Sequence, residues 1–138
     1  LDVMAIQFAT TLRNARADAT ETTIGASAVP ELRSGAKPAT PATADSGTLL
    51  ASMPLPVDYL TDAASGVKSL SGTWQDTAAN AQGTVGHFRL KDSGGTVCHV
   101  QGSVTITGGG GDMTMDNPAL EVGQVVTGST FTLTEGNA

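Results

Sequence analysis

Apolar and polar residues alternate along several short stretches in the second half of the chain. In the stretch TVGHFRLK, even-numbered positions carry Phe88 and Leu90, while odd-numbered positions carry His87, Arg89 and Lys91. A period of two is typical of a strand with one buried face, because successive side chains point to opposite sides of a sheet. We therefore expect Phe88 and Leu90 to face a core and the three polar side chains to face solvent.

The same alternation, bounded by Gly, Pro, Asn and Asp, recurs along the chain. It predicts that Cys98, Val100, Val104, Ile106, Met113, Met115, Phe131 and Leu133 point inward. The predicted strands are 29–33, 48–53, 66–72, 84–91, 96–107, 112–116, 124–127 and 130–134.

The sequence DSGG at 92–95 predicts a β-hairpin, since Gly and Asp supply the turn. The inward residues on both sides have even numbers, so the numbers of facing residues should sum to an even number. A hairpin centred on Ser93 would place Phe88 opposite Cys98 and His87 opposite His99. A hairpin centred on Gly94 would instead pair Arg89 with His99, and the sequence leaves both registers open.

Residues 6–24 predict the one helix of the chain. Apolar residues recur at helical spacing through Phe8, Leu12, Ala15 and Ala19, and Gly25 stands where a C-terminal cap belongs. This stripe is thin and rich in alanine, so the helix must lie against the protein's own sheet or against a neighbour.

The segment SGAKPATPATADSG at 34–47 is rich in proline and small residues. Pro38 and Pro41 exclude regular helix and favour extended chain. The segment is predicted to be a surface loop, and a plain connector and a partner-contacting arm are equally compatible with its composition.

Short strands with frequent turns and one helix predict a mostly β fold. In a chain of 138 residues, the commonest closed arrangement is a jelly-roll-like antiparallel β-sandwich. We expect residues 1–138 to form a single β-sandwich domain, with residues 1–25 as an N-terminal arm and helix.

Composition bears mainly on partners and location. Seven basic residues against thirteen acidic ones give a net charge of -6, which argues against binding nucleic acid. No apolar run approaches the length of a membrane span, and no signal peptide is evident. A single cysteine excludes an intrachain disulfide. These features predict synthesis in a reducing cytoplasm, with no nucleic-acid or membrane partner.

Candidate catalytic and ligand-binding motifs are weak. The run Gly108–Gly111 is followed by Asp112 rather than by the Lys and hydroxyl residue of a phosphate-binding loop. Asp112 and Asp116 would lie ~13 Å apart on one strand, too far to chelate one ion unaided. His87 and His99 would supply only two metal ligands. We therefore expect no enzyme activity, no cofactor, no metal and no small-molecule substrate.

Four segments carry a resemblance to a known family: LRNARADATETTIG (12–25), ADSGTLLA (44–51), LSGTWQD (70–76) and HVQGSVTITGGGGDM (99–113). The chain resembles the cement, or decoration, proteins of tailed-phage capsids, and the resemblance covers nearly the whole chain from about Met4. The resemblance implies a jelly-roll protein that forms homodimers on the outer surface of an icosahedral shell and bridges major capsid proteins. The acidic charge fits a location outside the DNA-filled shell.

Under this hypothesis, contacts with capsid protein should come from the N-terminal segment and helix, the proline-rich loop and exposed sheet edges. The predicted partner-contact residues are Phe8, Leu12, Arg13, Arg16, Lys37, Pro38, Pro41 and Trp74. Trp74 is alternatively a core residue. A β-sandwich module of a tail fibre or spike that recognises the host is the alternative function.

Overall fold

The computed structural model describes residues 6–136. It contains one helix, α1 (Thr10–Ile24), and ten strands. The strands are β1 (Val29–Ser34), β2 (Leu49–Ser52), β3 (Val67–Ser69), β4 (Gln75–Asp76), β5 (Gly83–Lys91), β6 (Cys98–Ile106), β7 (Met113–Met115), β8 (Ala119–Leu120), β9 (Val126–Thr127) and β10 (Thr130–Thr134). All eight predicted strands are confirmed, and the two that were not predicted, β4 and β8, have two residues each.

The main sheet has the strand order β2-β1-β5-β6-β7-β10-β3, and β8 pairs with the beginning of β5. Strands β4 and β9 form a small second sheet. This mostly β fold with one N-terminal helix is confirmed and is consistent with a β-sandwich. One feature departs from a purely antiparallel arrangement, because β6 and β7 pair in parallel.

In the hairpin of β5 and β6, the numbers of facing residues up to Leu90 sum to an even number, as predicted, but the centre of the hairpin differs from both predicted centres. Phe88 faces Gly102 and Leu90 faces Val100, so both predicted registers are wrong. A bulge between Leu90 and Lys91 then places Lys91 opposite Cys98. One extra residue moves the side chains beyond it to the other face of a sheet. This explains why Cys98 lines a surface cleft beside Lys91 instead of joining the core.

Aromatic residues meet at the centre of the core. The Trp74 ring lies 5.1 Å from the Phe131 ring, which in turn meets Phe88 edge to face at 5.5 Å. Gly102, opposite Phe88, leaves room for that ring, since a Cβ there would lie 2.6 Å from Phe88 Cε1. The predicted inward residue Ile106 is instead 55% exposed at the end of β6.

Helix α1 begins four residues later than predicted and ends as predicted, with Gly25 at φ 90° donating its N–H to the Glu21 carbonyl at 2.9 Å. Its buried residues are Ala17 and Ile24, whereas Ala15 and Ala19 are exposed. The alanine-rich stripe therefore faces outward, so its predicted packing against the protein's own sheet is wrong, and packing against a neighbour stays a prediction.

Polar contacts hold α1 in this orientation. Lys68 Nζ lies 2.7 Å from Asp18 Oδ1 and 2.9 Å from Glu21 Oε2. At the other end of the helix, Arg13 Nε donates to the Glu135 carbonyl at 2.9 Å. The N-terminal arm was predicted to include residues 1–5, which lie outside the described residues.

The outer edges of the main sheet are covered by the chain itself. On β2, the Leu50 carbonyl accepts the Asn80 N–H at 2.8 Å, and the Ser52 N–H donates to Asp76. On β3, the Ser69 carbonyl accepts the Thr61 N–H at 2.8 Å. Edges capped in this way resist pairing with a second chain, and partner contact at the sheet edges stays a prediction.

Candidate interaction site at the proline-rich strap

The proline-rich segment 34–47, here called the strap, runs across the polar side of β5. His87 Nδ1 bonds to the Gly35 carbonyl at 2.9 Å. Arg89 Nη2 donates to the carbonyls of Pro41 at 2.8 Å and Thr43 at 2.9 Å. These contacts are backbone carbonyls accepting side-chain protons, so the strap needs no regular secondary structure to be held in place.

The strap buries the three polar side chains of β5, here called the polar row: His87, Arg89 and Lys91. Their exposed fractions are 0%, 2% and 6%. The prediction that they face solvent is therefore wrong. Strand alternation distinguishes the two faces of a sheet, but it does not show that a distant loop covers the second face.

One carboxylate joins the strap to the cations beneath it. Asp45 Oδ1 lies 2.8 Å from Arg89 Nε, and Asp45 Oδ2 lies 2.7 Å from Lys91 Nζ and 3.0 Å from Arg33 Nη2. Glu31 on β1 completes the group, with Oε2 at 2.9 Å from Arg33 Nη2 and 3.0 Å from Lys91 Nζ. We call these five residues the charge cluster.

The charge cluster shifts the pKa values of Asp45 and Lys91. Burial raises the pKa of Asp45, but the Lys91 hydrogen bond and the charges of Arg33, Lys91 and Arg89 outweigh it, so that the pKa lies below its ordinary value. Burial lowers the pKa of Lys91, and the bonds to Asp45 and Glu31 outweigh it in the opposite direction. Both groups therefore stay charged around neutral pH.

A cleft of about 620 Å³ opens between the strap and the loop that joins β5 to β6. Arg89, Lys91 and Cys98 contribute to its wall. Burial raises the pKa of the Cys98 thiol, while Arg89 and Lys91 act to lower it. The remaining lining residues are Thr40, Pro41, Ala42, Thr43, Ala44, Asp45, Thr96 and Val97.

Two predicted partner-contact residues are buried, so these two predictions are wrong. Trp74 is 1% exposed, and its Nε1 donates to the Tyr59 carbonyl at 3.0 Å. Pro38 is a buried residue of the strap, and its carbonyl accepts a proton from Gln101 Nε2 at 2.7 Å. A side chain without exposed surface cannot contact a partner while the fold is intact.

The other six predicted contact residues fall into two places. Lys37 and Pro41 are exposed on the strap. On and before α1, Leu12 is 48% exposed, and the Arg16 guanidinium lies 5.0 Å above the half-buried Phe8 ring. Arg13, by contrast, is committed to the backbone carbonyls of Ser65 and Glu135.

Sequence reasoning missed the acidic members of the charge cluster. Glu31 faces Arg89 across the β1–β5 pair, and Arg33 faces His87. Cross-strand pairs of opposite charge are stabilising and would have been a usable signal. Recognising them requires knowing that β1 pairs with β5, which are separated along the chain by β2, β3 and β4.

The aspartates beside the glycine run have structural partners. Asp112 Oδ2 accepts protons from the Ser103 N–H at 2.8 Å and the Ser103 hydroxyl at 2.9 Å. Asp116 Oδ1 accepts a proton from the Thr107 hydroxyl at 3.0 Å. Within residues 6–136, no group of three or more His, Cys, Asp or Glu side chains is arranged to hold a metal ion. The same part of the chain contains no helix of the length and apolarity needed to cross a membrane.

A scan against protein-family models and searches of curated proteins and of solved structures found no match to this chain.

Proposed function

We propose that this chain is a structural virion protein that binds the outer surface of an icosahedral phage capsid and stabilises the shell by bridging major capsid proteins. The family resemblance of the sequence suggests this function. The observation that carries it is the strap, which is anchored to β5 and β6 by hydrogen bonds and ion pairs while most of its residues stay exposed.

The strap is preorganised for contact. Six of the residues from Ala36 to Ala42 are exposed, and Pro38 between them is anchored inward. A proline-containing segment held by buried charges loses little conformational freedom when it binds, so more of its contact energy becomes affinity. Its exposed side chains are small, apart from Lys37, and small side chains allow close approach of a repetitive lattice.

The outward side of α1 offers a second surface. Leu12, Ala15 and Ala19 are exposed there, and their small or aliphatic side chains allow close approach of another protein. Two separate contact surfaces would let one copy bridge neighbouring subunits, because the first attachment raises the effective concentration for the second. A homodimer would increase this effect, and it remains part of the proposal.

The first experiment measures the stability of the capsid shell with and without the protein. Particles assembled without the protein should rupture at a lower temperature and at a milder osmotic shock than particles that carry it, since a ligand of the assembled lattice stabilises it by mass action. Equal rupture conditions would count against the proposal. A low copy number confined to the tail would favour the host-recognition alternative.

The second experiment tests the strap itself with a matched pair of variants. Ala39→Arg places a large side chain on the exposed strap, and Ala78→Arg makes the same change on an exposed loop elsewhere. We expect Ala39→Arg to weaken binding to particles by roughly tenfold or more, as for a change in the centre of an interface. Ala78→Arg should bind as the unaltered protein does. Equal binding by both variants, with both correctly folded, would exclude the strap as the contact surface.

A further inference from the structure

The cleft under the strap contains two buried cations with unused hydrogen-bond donors. An ammonium group has three N–H bonds, and Lys91 Nζ uses two of them, toward Glu31 and Asp45. Arg89 Nη1 has two N–H bonds and donates one of them, to Gln101 Oε1 at 2.9 Å. Within residues 6–136, Lys91 Nζ and Arg89 Nη1 make no further hydrogen bond, and the buried Arg89 Nε makes none, although Asp45 Oδ1 lies 2.8 Å away.

The surrounding charges leave an excess of one positive charge. The charge cluster holds three cations and two carboxylates, all within 3.0 Å of a partner. Asp92, in the loop that joins β5 to β6, is turned toward its own loop, where it accepts the N–H groups of Thr96 at 2.8 Å and Val97 at 3.2 Å. An uncompensated positive charge with little access to water favours an anion beside it.

The opposite walls of the cleft are largely apolar and small. Pro41, Ala42, Ala44 and Val97 line them, and Val97 is 51% exposed at the opening. A volume of about 620 Å³ is within the usual range for small-molecule sites and is far larger than an inorganic anion requires. The cleft therefore fits an anion that carries a short aliphatic body.

We propose that the strap cleft binds a short-chain aliphatic carboxylate, with the carboxylate at Lys91 and Arg89 and the aliphatic chain against Pro41 and Val97. The carboxylate belongs either to a free small molecule or to a glutamate or aspartate side chain of a bound protein. This site goes beyond the proposed capsid function and does not depend on it, because it concerns the interior of the cleft and the isolated protein.

Titration of the isotope-labelled protein with acetate, butyrate and hexanoate, at constant ionic strength, tests the site by NMR. We expect saturable shifts of the amide signals around Lys91 and Val97, with an affinity that rises along the series as more aliphatic surface is buried. A titration with chloride supplies the control for ionic strength. Shifts that do not saturate, or an affinity that is equal for all three carboxylates, would overturn the proposal.

Two variants test separately whether binding needs the Lys91 charge and whether it needs the open volume of the cleft. Lys91→Met removes the ammonium and should weaken butyrate binding by roughly tenfold or more, the usual effect of losing a charged hydrogen bond. Ala42→Phe fills the cleft and leaves the charge cluster intact, so it should abolish binding even if Lys91→Met folds poorly. Lys37→Met removes an exposed charge of the strap and should change nothing. Binding that survives Ala42→Phe would place the carboxylate elsewhere.

A glutamate-containing peptide, acetyl-Ala-Glu-Ala-amide, distinguishes the two sources of the carboxylate. Competition between this peptide and butyrate for the same signals would identify a protein side chain as an occupant of the site. Binding of butyrate without binding of the peptide would restrict the site to free small molecules. Failure of all these titrations would refute the carboxylate site and leave the capsid-binding experiments unaffected.

Discussion

Asp45 is the residue on which the strap most depends, and Asp45→Asn tests this directly. The substitution preserves the size of the side chain and removes the charge that Arg33, Arg89 and Lys91 share. Removing one partner of a buried ion pair costs about 3–5 kcal/mol, because the remaining charge is left uncompensated. Here the cost should be smaller, since the Asp45 side chain is 31% exposed and Glu31 still neutralises part of the cluster.

We therefore expect Asp45→Asn to lower the free energy of unfolding by about 2 kcal/mol. For a chain of this size, this corresponds to a fall in Tm of about 8 °C. Urea unfolding, monitored by the fluorescence of Trp74, measures this change in the free energy of unfolding. Hydrogen exchange of the amides in the strap should also become faster, because the loss is concentrated there.

Asp58→Asn is the matched control, because it makes the same charge change at an exposed carboxylate. It should alter the free energy of unfolding by less than about 0.5 kcal/mol. If Asp45→Asn were as mild as Asp58→Asn, and the exchange of the strap amides stayed slow, the charge cluster would not be what holds the strap.

Further predictions follow from the same contacts. The pKa of Asp45 is lowered in the folded protein. The contribution of Asp45 to stability should therefore be complete above about pH 5 and should disappear as the pH falls through the folded-state pKa, below about 4. The unaltered protein should lose more stability over this interval than Asp45→Asn, and parallel profiles of stability against pH would contradict this. Gly86→Ala should destabilise the protein and displace the strap, since the new Cβ would lie 2.2 Å from the Gly35 carbonyl oxygen. In the control variant Gly94→Ala, the new Cβ meets no atom closer than 3.9 Å and should be tolerated. A comparison of the urea midpoints of the two variants checks this. Trp74→Ala should cost about 3–5 kcal/mol through the cavity it leaves, measured by calorimetry, and a change below about 1 kcal/mol would contradict the core assignment of Trp74. Lys68→Met should loosen α1 by removing its ion pairs to Asp18 and Glu21, visible as faster amide exchange in the helix. Unchanged exchange would show that these ion pairs do not hold the helix.

The sequence by itself determined the local structure of this protein. Alternation along β5, β6 and β10 identified strands because a half-buried strand requires a period of two. Gly25 marked the end of α1 because it adopts a positive φ there. The even parity of the β5–β6 pair also followed from the pattern alone.

Tertiary structure decided everything that depends on distant segments meeting. The centre of the β5–β6 hairpin and its bulge were set by loop geometry, and the bulge moved Cys98 from the core to the cleft. The helix turned its alanine stripe outward because Lys68, far along the chain, binds its acidic side.

The same limit applies to the candidate site. Local pattern showed the polar row of β5 but could not show that the strap covers it, nor that Glu31 and Asp45 come from two different segments to neutralise it. Alternation along a strand indicates which residues share a face of the sheet. Which distant segment covers that face depends on the tertiary fold. Burial of Arg89 and Lys91 is therefore a property of the folded chain, fixed by charges that are remote in sequence.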